Sequence, residues 1–486
     1  MSRVNIILGS PGTGKTTTLL NIVDEAITSG IAPERIAYLA FTRKAAYEAQ
    51  ERAMARFNID EDRLPFFRTL HSLAFKQLGV QRDEVMTENH YRKLGKIMGI
   101  EFQGIYDDVT HVPIGGGLGD KCARIEALAR VRMCGIEAQH KTSNINDLTL
   151  HACRQYEKVL KKYKSENGLL DFTDLVERYE GELDVDICIF DEAQDLSSLQ
   201  YKMAIKLSQL ANKVYIAGDD DQAIFGWAGA DVAKFLSLSG DKIILPQSYR
   251  IPSSVHQLSN SLAKRIKNRY NKNWQPKDSK GEIEWISHEQ EIDLSIEGTW
   301  MLLARSKFLL NRFRHICRQQ GYGYKMNGRS SLDTEETRAI SSWERLRKNK
   351  LISPLEAKNL LKFLPAKIKL KEKESYHLSD FGFPEAIRRH DWMAVLNLIP
   401  PEEREYLRSC LRNGERFEKD PRITISTIHQ VKGGEADNVA LTTDMGKLSW
   451  DNATTDEEIR VWYVAITRTR KSLFLIRPRT LKFFDI

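Results

Sequence analysis

Gly9-Ser10-Pro11-Gly12-Thr13-Gly14-Lys15-Thr16 fits the pattern G-x-x-x-x-G-K-[ST] in full. In such a loop, backbone N–H groups freed by glycine point at phosphate oxygens, and the helix that follows adds the positive end of its dipole. Gly12, Thr13, Gly14 and Thr17 would line the cradle. Lys15 is placed to reach the terminal phosphates, and the Thr16 hydroxyl to ligate Mg²⁺. Far along the chain, the apolar run Ile187–Phe190 leads straight into Asp191-Glu192-Ala193-Gln194-Asp195. A strand ending this way puts two acids at the carboxyl edge of a sheet. Asp191 is expected to hold the magnesium from the end of a neighbouring strand, and Glu192 to orient and deprotonate an attacking water. Phosphoryl transfer also needs positive charge on the migrating group. Arg250, in Gln247-Ser248-Tyr249-Arg250, and Arg468, in Tyr463-Val464-Ala465-Ile466-Thr467-Arg468, are suited to that task, with Arg470 a substitute for Arg468.

These residues need a sheet with strand ends gathered on one edge, and the patterning supplies it. Short apolar runs at Val4–Leu8, Ile36–Phe41, Ile187–Phe190, Val214–Ala217 and Ile243–Leu245 alternate with helical periodicity over Lys15–Ala26 and Arg43–Arg56. Strands alternating with helices imply a parallel sheet with right-handed crossovers. A second set of strands falls at Ile283–Ile286, Trp300–Ala304, Ile423–Thr427, Val439–Thr443 and Leu473–Ile476. Between these lie two helix-rich, charged stretches. The expected organisation is an α/β protein of two tandem cores: residues 1–78 and 171–245, interrupted by a helical insertion at 79–170, then 246–329 and 421–486, interrupted by a short helical insertion at 330–420. The run Ile114-Gly115-Gly116-Gly117-Leu118-Gly119 reads as a flexible connector and not a second phosphate loop, since no G-K-[ST] follows it.

A length of 486 residues allows several domains. Hydrophobic content of 41% and charged content of 29% are those of a globular chain, with no apolar run near the ~18 residues that a membrane span requires. The six cysteines are scattered, none at C-x-x-C spacing, so neither a zinc site nor a disulfide framework is indicated, which fits a reducing cytoplasm. The excess of 73 Lys+Arg over 66 Asp+Glu, +7 in all, permits a polyanionic partner without demanding one.

Further segments, in order, resemble superfamily 1 DNA helicases of the Rep/UvrD/PcrA type. Leu39-Ala40-Phe41-Thr42-Arg43-Lys44-Ala45-Ala46 is similar to that family's "TFTNKAA", Thr69-Leu70-His71-Ser72 to "TFHS", and Asp171-Phe172-Thr173-Asp174-Leu175 to "DFDDL". Gly218-Asp219-Asp220-Asp221-Gln222-Ala223-Ile224-Phe225-Gly226-Trp227 resembles "GDDDQSIYGWRG", and Ser248-Tyr249-Arg250 resembles "NYR". Thr427-Ile428-His429-Gln430-Val431-Lys432-Gly433-Gly434-Glu435 resembles "TLHSAKGLE", and Tyr463 to Arg470 resembles "YVAITRAR". The resemblance spans both α/β regions and leaves the insertions largely uncovered.

The resemblance implies two RecA-like cores with ATP in the cleft between them, Mg²⁺ at Thr16 and Asp191, and Glu192 as base. Gln222 would touch the γ-phosphate and the water. Arg250 and Arg468 would be arginine fingers from the second core, Glu435 would contact the ribose, and Tyr249 would stack on adenine. It also implies a path for single-stranded DNA, with Phe41, Phe225 and Trp227 stacking on bases and Thr69, His71, Thr427 and His429 near the backbone. The expected activity is ATP-dependent translocation and 3′ to 5′ unwinding at single-strand/duplex junctions. The working form would be a cytoplasmic monomer, acting alongside replication or repair proteins, in a bacterium or in a host cell if the chain is phage-encoded. The family's upstream adenine-reading glutamine segment has no room ahead of Val4, which points to relaxed nucleotide choice. The second insertion is shorter than the family's. An RNA helicase of a sister branch and a ring-forming, protein-remodelling ATPase share the phosphate loop, and remain the alternatives.

Overall fold

Period-two burial defines the first sheet. In β1 (Arg3–Gly9), Ile6 and Leu8 join one apolar cluster while Ile7 joins another on the opposite face. In β2 (Ile36–Ala40), Ala37 and Leu39 go one way, and Ile36, Tyr38 and Ala40 the other. A strand buried on both faces reads as a continuous apolar run, as these do. The computed structural model describes residues 3–107, 112–143, 145, 147–181, 183–365 and 368–486. By its contacts the chain divides into two compact units, Met1–Ser279 with Thr454–Val464, and Lys280–Ala453 with Ala465–Ile486.

The first unit adds β3 (Phe67–Thr69), β4 (Ile187–Asp191), β5 (Lys213–Gly218) and β6 (Asp241–Leu245). The order is β3-β2-β4-β5-β1-β6, and every pairing is parallel. Register brings Ala40 opposite both Thr69 and Asp191, and Leu8 opposite Gly218, so the carboxyl ends of five strands share one edge. Asp191 therefore does not end a strand next to β1, as expected from the sequence: β5 lies between β4 and β1. That intervening strand delivers the loop after Gly218 into the space between the phosphate loop and the acids.

The stretch 79–170 forms its own helical core, with Leu94, Cys122, Ile125, Cys153, Tyr156 and Leu160 buried together. Its two longest helices among the described residues are Leu118–Val131 and Leu150–Asn167. The glycine run before the first of them is packed and not a slack connector. A Cβ at Gly115 would lie 2.5 Å from Asp120 Cγ, and one at Gly119 2.5 Å from the Phe102 ring. Asp120 is itself buried and accepts from Gln103 N and Gly104 N (2.8 and 3.1 Å), so the run is glycine because backbone and ring approach it closely.

The second unit holds a sheet of β7 (Glu282–Ile286), β8 (Trp300–Ala304), β9 (Tyr324–Met326), β10 (Arg329–Ser330), β11 (Ile423–Thr427), β12 (Ala436–Thr442) and β13 (Thr469–Ile476). Its order is β10-β9-β11-β8-β12-β13-β7, parallel except for the β9–β10 hairpin. Trp300, Leu302, Phe313, Ile316, Ile423 and Ile425 build its core, and a separate cluster around Trp343, Leu360, Tyr406 and Leu407 belongs to the helix-rich stretch between β10 and β11. The protein is thus α/β with two predominantly parallel sheets. Among the described residues, no helix is long and apolar enough to cross a membrane.

Candidate active site

The phosphate loop leaves β1 at Gly9 and enters the helix Lys15–Thr28 through Gly14, whose φ of 81° is left-handed; Gly12, at 72°, is too. No acid sits in the helix's first turn, so nothing there opposes an anion. Thr13 Oγ1 donates to Ser10 O (2.8 Å), and Lys15 Nζ donates to Gly9 O (2.8 Å). Ser10 Oγ is buried in the loop with no hydrogen-bond partner among the described residues. Thr16 is half-buried and Thr17 exposed at the helix start. An amine folded back on its own loop and an orphan hydroxyl suit a site completed by phosphate oxygens.

Asp191 closes β4 with 4% exposure and accepts from Tyr38 Oη (2.7 Å). Burial, then the charge of Glu192, pushes its carboxyl up to about 6, while the Tyr38 bond and Lys15 pull against that rise. Glu192 adopts φ 54°, an uncommon conformation for a non-glycine residue that turns its side chain away from the strand line. Its N–H donates to Asp191 Oδ1 (2.9 Å), and its carboxylate accepts from Gln194 Nε2 (2.5 Å). Among the described residues no group of three or more His, Cys, Asp or Glu side chains could hold an ion unaided. One hydroxyl and one carboxylate, with phosphate and water oxygens, instead match how Mg²⁺ rides on a nucleotide, so Thr16 and Asp191 fit that ion.

The loop after β5 ties to this pair. Asp219 N donates to Gln194 Oε1 (3.0 Å), and Gln222 Nε2 donates to Asp219 Oδ2 (2.6 Å). Gly218 must be glycine, since a Cβ would lie 2.6 Å from Gln194 Oε1. An unbroken hydrogen-bonded line thus runs from Glu192 through Gln194 and Asp219 to Gln222.

Ser248-Tyr249-Arg250 lies against the phosphate loop within the first unit. Ser248 Oγ donates to Pro11 O (2.7 Å) and Tyr249 N to Gly12 O (2.8 Å). A Cβ at Gly12 would sit 2.3 Å from Arg250 Cβ. Tyr249 is 75% exposed, its ring passing 3.9 Å from the Cβ position of Gly14. These contacts place the stretch up to Ser279 with the first unit. In the second unit, Arg468 is 1% exposed and donates to Gly434 O (3.0 Å) and Thr467 Oγ1 (3.3 Å). Glu435 pairs with Arg470 at 3.4 Å.

The residues expected on the DNA side follow other strand ends. Phe41 and Phe225 stack at 5.5 Å, but Phe225 is only 3% exposed, so it backs Phe41 and offers no open face of its own. Trp227 is half-exposed; its N–H donates to Glu457 Oε1 (2.9 Å), and Gly226 O accepts from Arg132 Nη2 (2.7 Å). Thr69 caps the helix Leu70–Gln77 by accepting from Ser72 N (3.2 Å), and His71 sits edge-on to Phe172. In the second unit Thr427 Oγ1 donates to Gln430 Oε1 (3.1 Å). Burial, with Arg305 and Lys432 nearby, pushes the His429 imidazole down to about 3, leaving a neutral ring at ordinary pH.

Sequence reasoning missed Gln194, Arg269, Lys272, Arg132 and Glu457. One signal was available: three consecutive acids at Asp219–Asp221 can be buried only beside cations. Lys272 and Arg269 are those cations.

A glycine loop that leaves an internal parallel strand and opens a helix, together with an acid-ended strand of the same sheet, defines a P-loop fold. The model for the UvrD/REP helicase N-terminal domain matches residues 1–242, and that for the UvrD-like helicase C-terminal domain matches residues 399–480. The chain belongs to the UvrD/REP helicase family. It is 23% identical over 316 residues to the ATP-dependent DNA helicase Rep of Buchnera aphidicola, covering 59% of this chain and 45% of that one. It is 26% identical over 348 residues to a probable DNA helicase II homolog of Rickettsia felis (65% and 49%), and 26% over 316 residues to the ATP-dependent DNA helicase PcrA of Bacillus subtilis (59% and 41%). The matched stretch spans about half the length of these curated relatives or less.

Proposed function

We propose that this chain is an ATP-dependent translocase on single-stranded DNA that unwinds duplex with 3′ to 5′ polarity, in replication, repair or recombination. The observation that carries this reading is the hydrogen-bonded line from Glu192 to Gln222, on a loop that continues into Trp227. The phosphate-loop N–H groups and Lys15 bind the triphosphate, Tyr249 stacks on the base and Glu435 meets the ribose. Mg²⁺, when held through Thr16 and Asp191, supplies positive charge to the phosphate oxygens. Glu192 takes the proton of the attacking water and Gln222 orients it. Arg250 and Arg468 neutralise the charge that develops on the transferring phosphoryl group. Single-stranded DNA runs over Phe41, Thr69, His71 and Trp227 in the first unit and Thr427 and His429 in the second, with Phe225 supporting Phe41.

The test is strand displacement on duplexes with a single-stranded 3′ or 5′ tail, run with each of the four ribonucleoside triphosphates. Unwinding from the 3′ tail alone, with hydrolysis stimulated by poly(dT) above poly(U), is expected. Displacement only from the 5′ tail would refute the polarity, and stimulation by poly(U) alone would transfer the reading to RNA.

A further inference from the structure

The residue that sets the aim of Gln222 comes from outside every segment that carries the family resemblance. Lys272 follows the helix Ser253–Ala263, and its side chain is fully buried. Its ammonium contacts Asp219 Oδ1 at 2.7 Å, Asp220 Oδ1, and Asp221 Oδ2 at 3.0 Å, and all three carboxylates are themselves without exposure. Arg269 adds a bidentate pair to Asp221 (2.7 and 2.6 Å), and Tyr270 N donates to Asp220 Oδ2 (2.8 Å). A buried carboxylate without a cation takes up a proton or moves. Asp219 is the critical one, because its second oxygen accepts from Gln222 and its N–H meets Gln194.

We propose that Lys272 is a positioning residue for hydrolysis: by holding Asp219 ionised and fixed, it sets Gln222, and through Gln194 the Glu192 carboxylate, in the geometry that acts on the attacking water. Lys272 touches no substrate. The three donors of its ammonium meet three acceptors, so no neutral side chain of similar length replaces it. Arg269 lies at the outer edge of the cluster and reaches Asp221 alone among these acids, so it serves as an internal control. The proposal rests on the nucleotide-hydrolysis reading above.

The experiment is a double-mutant cycle between Lys272→Met and Gln222→Ala in the full chain, reading kcat and KM for ATP with saturating poly(dT). Rates are normalised to sites that bind a fluorescent ATP analogue. Lys272→Met should lower kcat on the order of 10²-fold, as expected for a misplaced reacting geometry, with KM little changed. In the Gln222→Ala background the same change should cost markedly less than in the wild type, keeping only the share that runs through Gln194 to Glu192. Arg269→Met should keep kcat near wild type. Should Lys272→Met not fold, Asp219→Asn replaces it in the cycle, leaving the lysine its contacts with Asp220 and Asp221. A purely structural lysine would lower the fraction of binding-competent sites and leave the normalised kcat alone, which overturns the proposal. So do additive losses in the cycle. Wild-type protein that hydrolyses no nucleotide would overturn the functional reading and this one together, whereas normal wild-type hydrolysis with additive losses overturns this one only.

Discussion

At the level of single side chains, binding and chemistry separate cleanly. In the proposed reading Lys15 serves the cradle and Glu192 the water, and each stands on its own backbone feature, a left-handed glycine before the helix in one case and a left-handed glutamate after the strand in the other. Lys15→Ala should therefore abolish hydrolysis while leaving DNA binding, measured by fluorescence anisotropy on an oligonucleotide, near wild type. Glu192→Gln should keep nucleotide binding and lose turnover by roughly 10²- to 10⁴-fold, the usual worth of a general base; single-turnover rates close to wild type would remove Glu192 from that role. Both residues were legible because the phosphate loop and the acid pair carry their chemistry in contiguous sequence. Gln194 and Lys272 were not. A buried ion pair is a long-range fact, and nothing in Arg269-Tyr270-Asn271-Lys272 distinguishes it from a solvated basic turn until the fold puts it against Asp219.

Elements bring further consequences, because two helices hold the loop that carries Trp227. Arg132, one residue past the helix Leu118–Val131, donates to Gly226 O; Glu457, near the start of the helix Asp456–Ile466, accepts from Trp227 N, and its carboxylate lies 2.8 Å from where a Gly226 Cβ would be. Trp227→Ala should weaken single-strand binding by about tenfold or more, from the loss of one stacked base. Glu457→Ala should reproduce its loss of DNA-stimulated hydrolysis while sparing the basal rate, both read in a coupled ATPase assay. If Glu457→Ala responds to DNA normally, the helix contact is packing alone. The "DFDDL"-like segment also gains a physical role at this scale. Asp171 and Asp174 cap the helix Phe172–Glu177 reciprocally and are bound by Lys164 and Arg130 of the helical insertion. Glu126 shares that cluster, and burial pushes its carboxyl up to about 7 from 4.5. The folded form then binds more protons than the unfolded chain between those two values, so its contribution to stability is present below pH 4.5 and lost as pH rises through 7. Glu126→Gln should raise the melting temperature relative to wild type at pH 8, with the gap closing toward pH 4.5 in thermal scans. The helices Lys15–Thr28 and Arg43–Phe57 and the longer strands were read to within a few residues because burial repeats along them. β3 and the β9–β10 hairpin escaped because two or three residues hold too little period to see.

For the whole chain, the open question is whose arginine serves whose phosphate loop. A ring-forming ATPase takes that arginine from the next subunit, whereas a motor with two sheets in one polypeptide supplies its own. Arg250 lies on the phosphate loop of its own unit, with its Cβ against Gly12. Arg468 belongs to the second unit, where it is buried and bonded to Gly434 and Thr467. If Arg468 completes hydrolysis within its own chain, Arg468→Ala should lower kcat by roughly 10³-fold or more while nucleotide binding persists. Excess Lys15→Ala protein, whose arginines are intact and whose own site is dead, should then fail to restore it. In a ring the two defects lie in different subunits of a mixed assembly, so the same mixture would recover activity. Hydrolysis is read at fixed Arg468→Ala concentration while Lys15→Ala protein is titrated in with saturating poly(dT). A flat line supports a self-sufficient chain. A rise to a plateau would mean that the arginine acts between chains, and the single-polypeptide motor would have to be abandoned in favour of an oligomer.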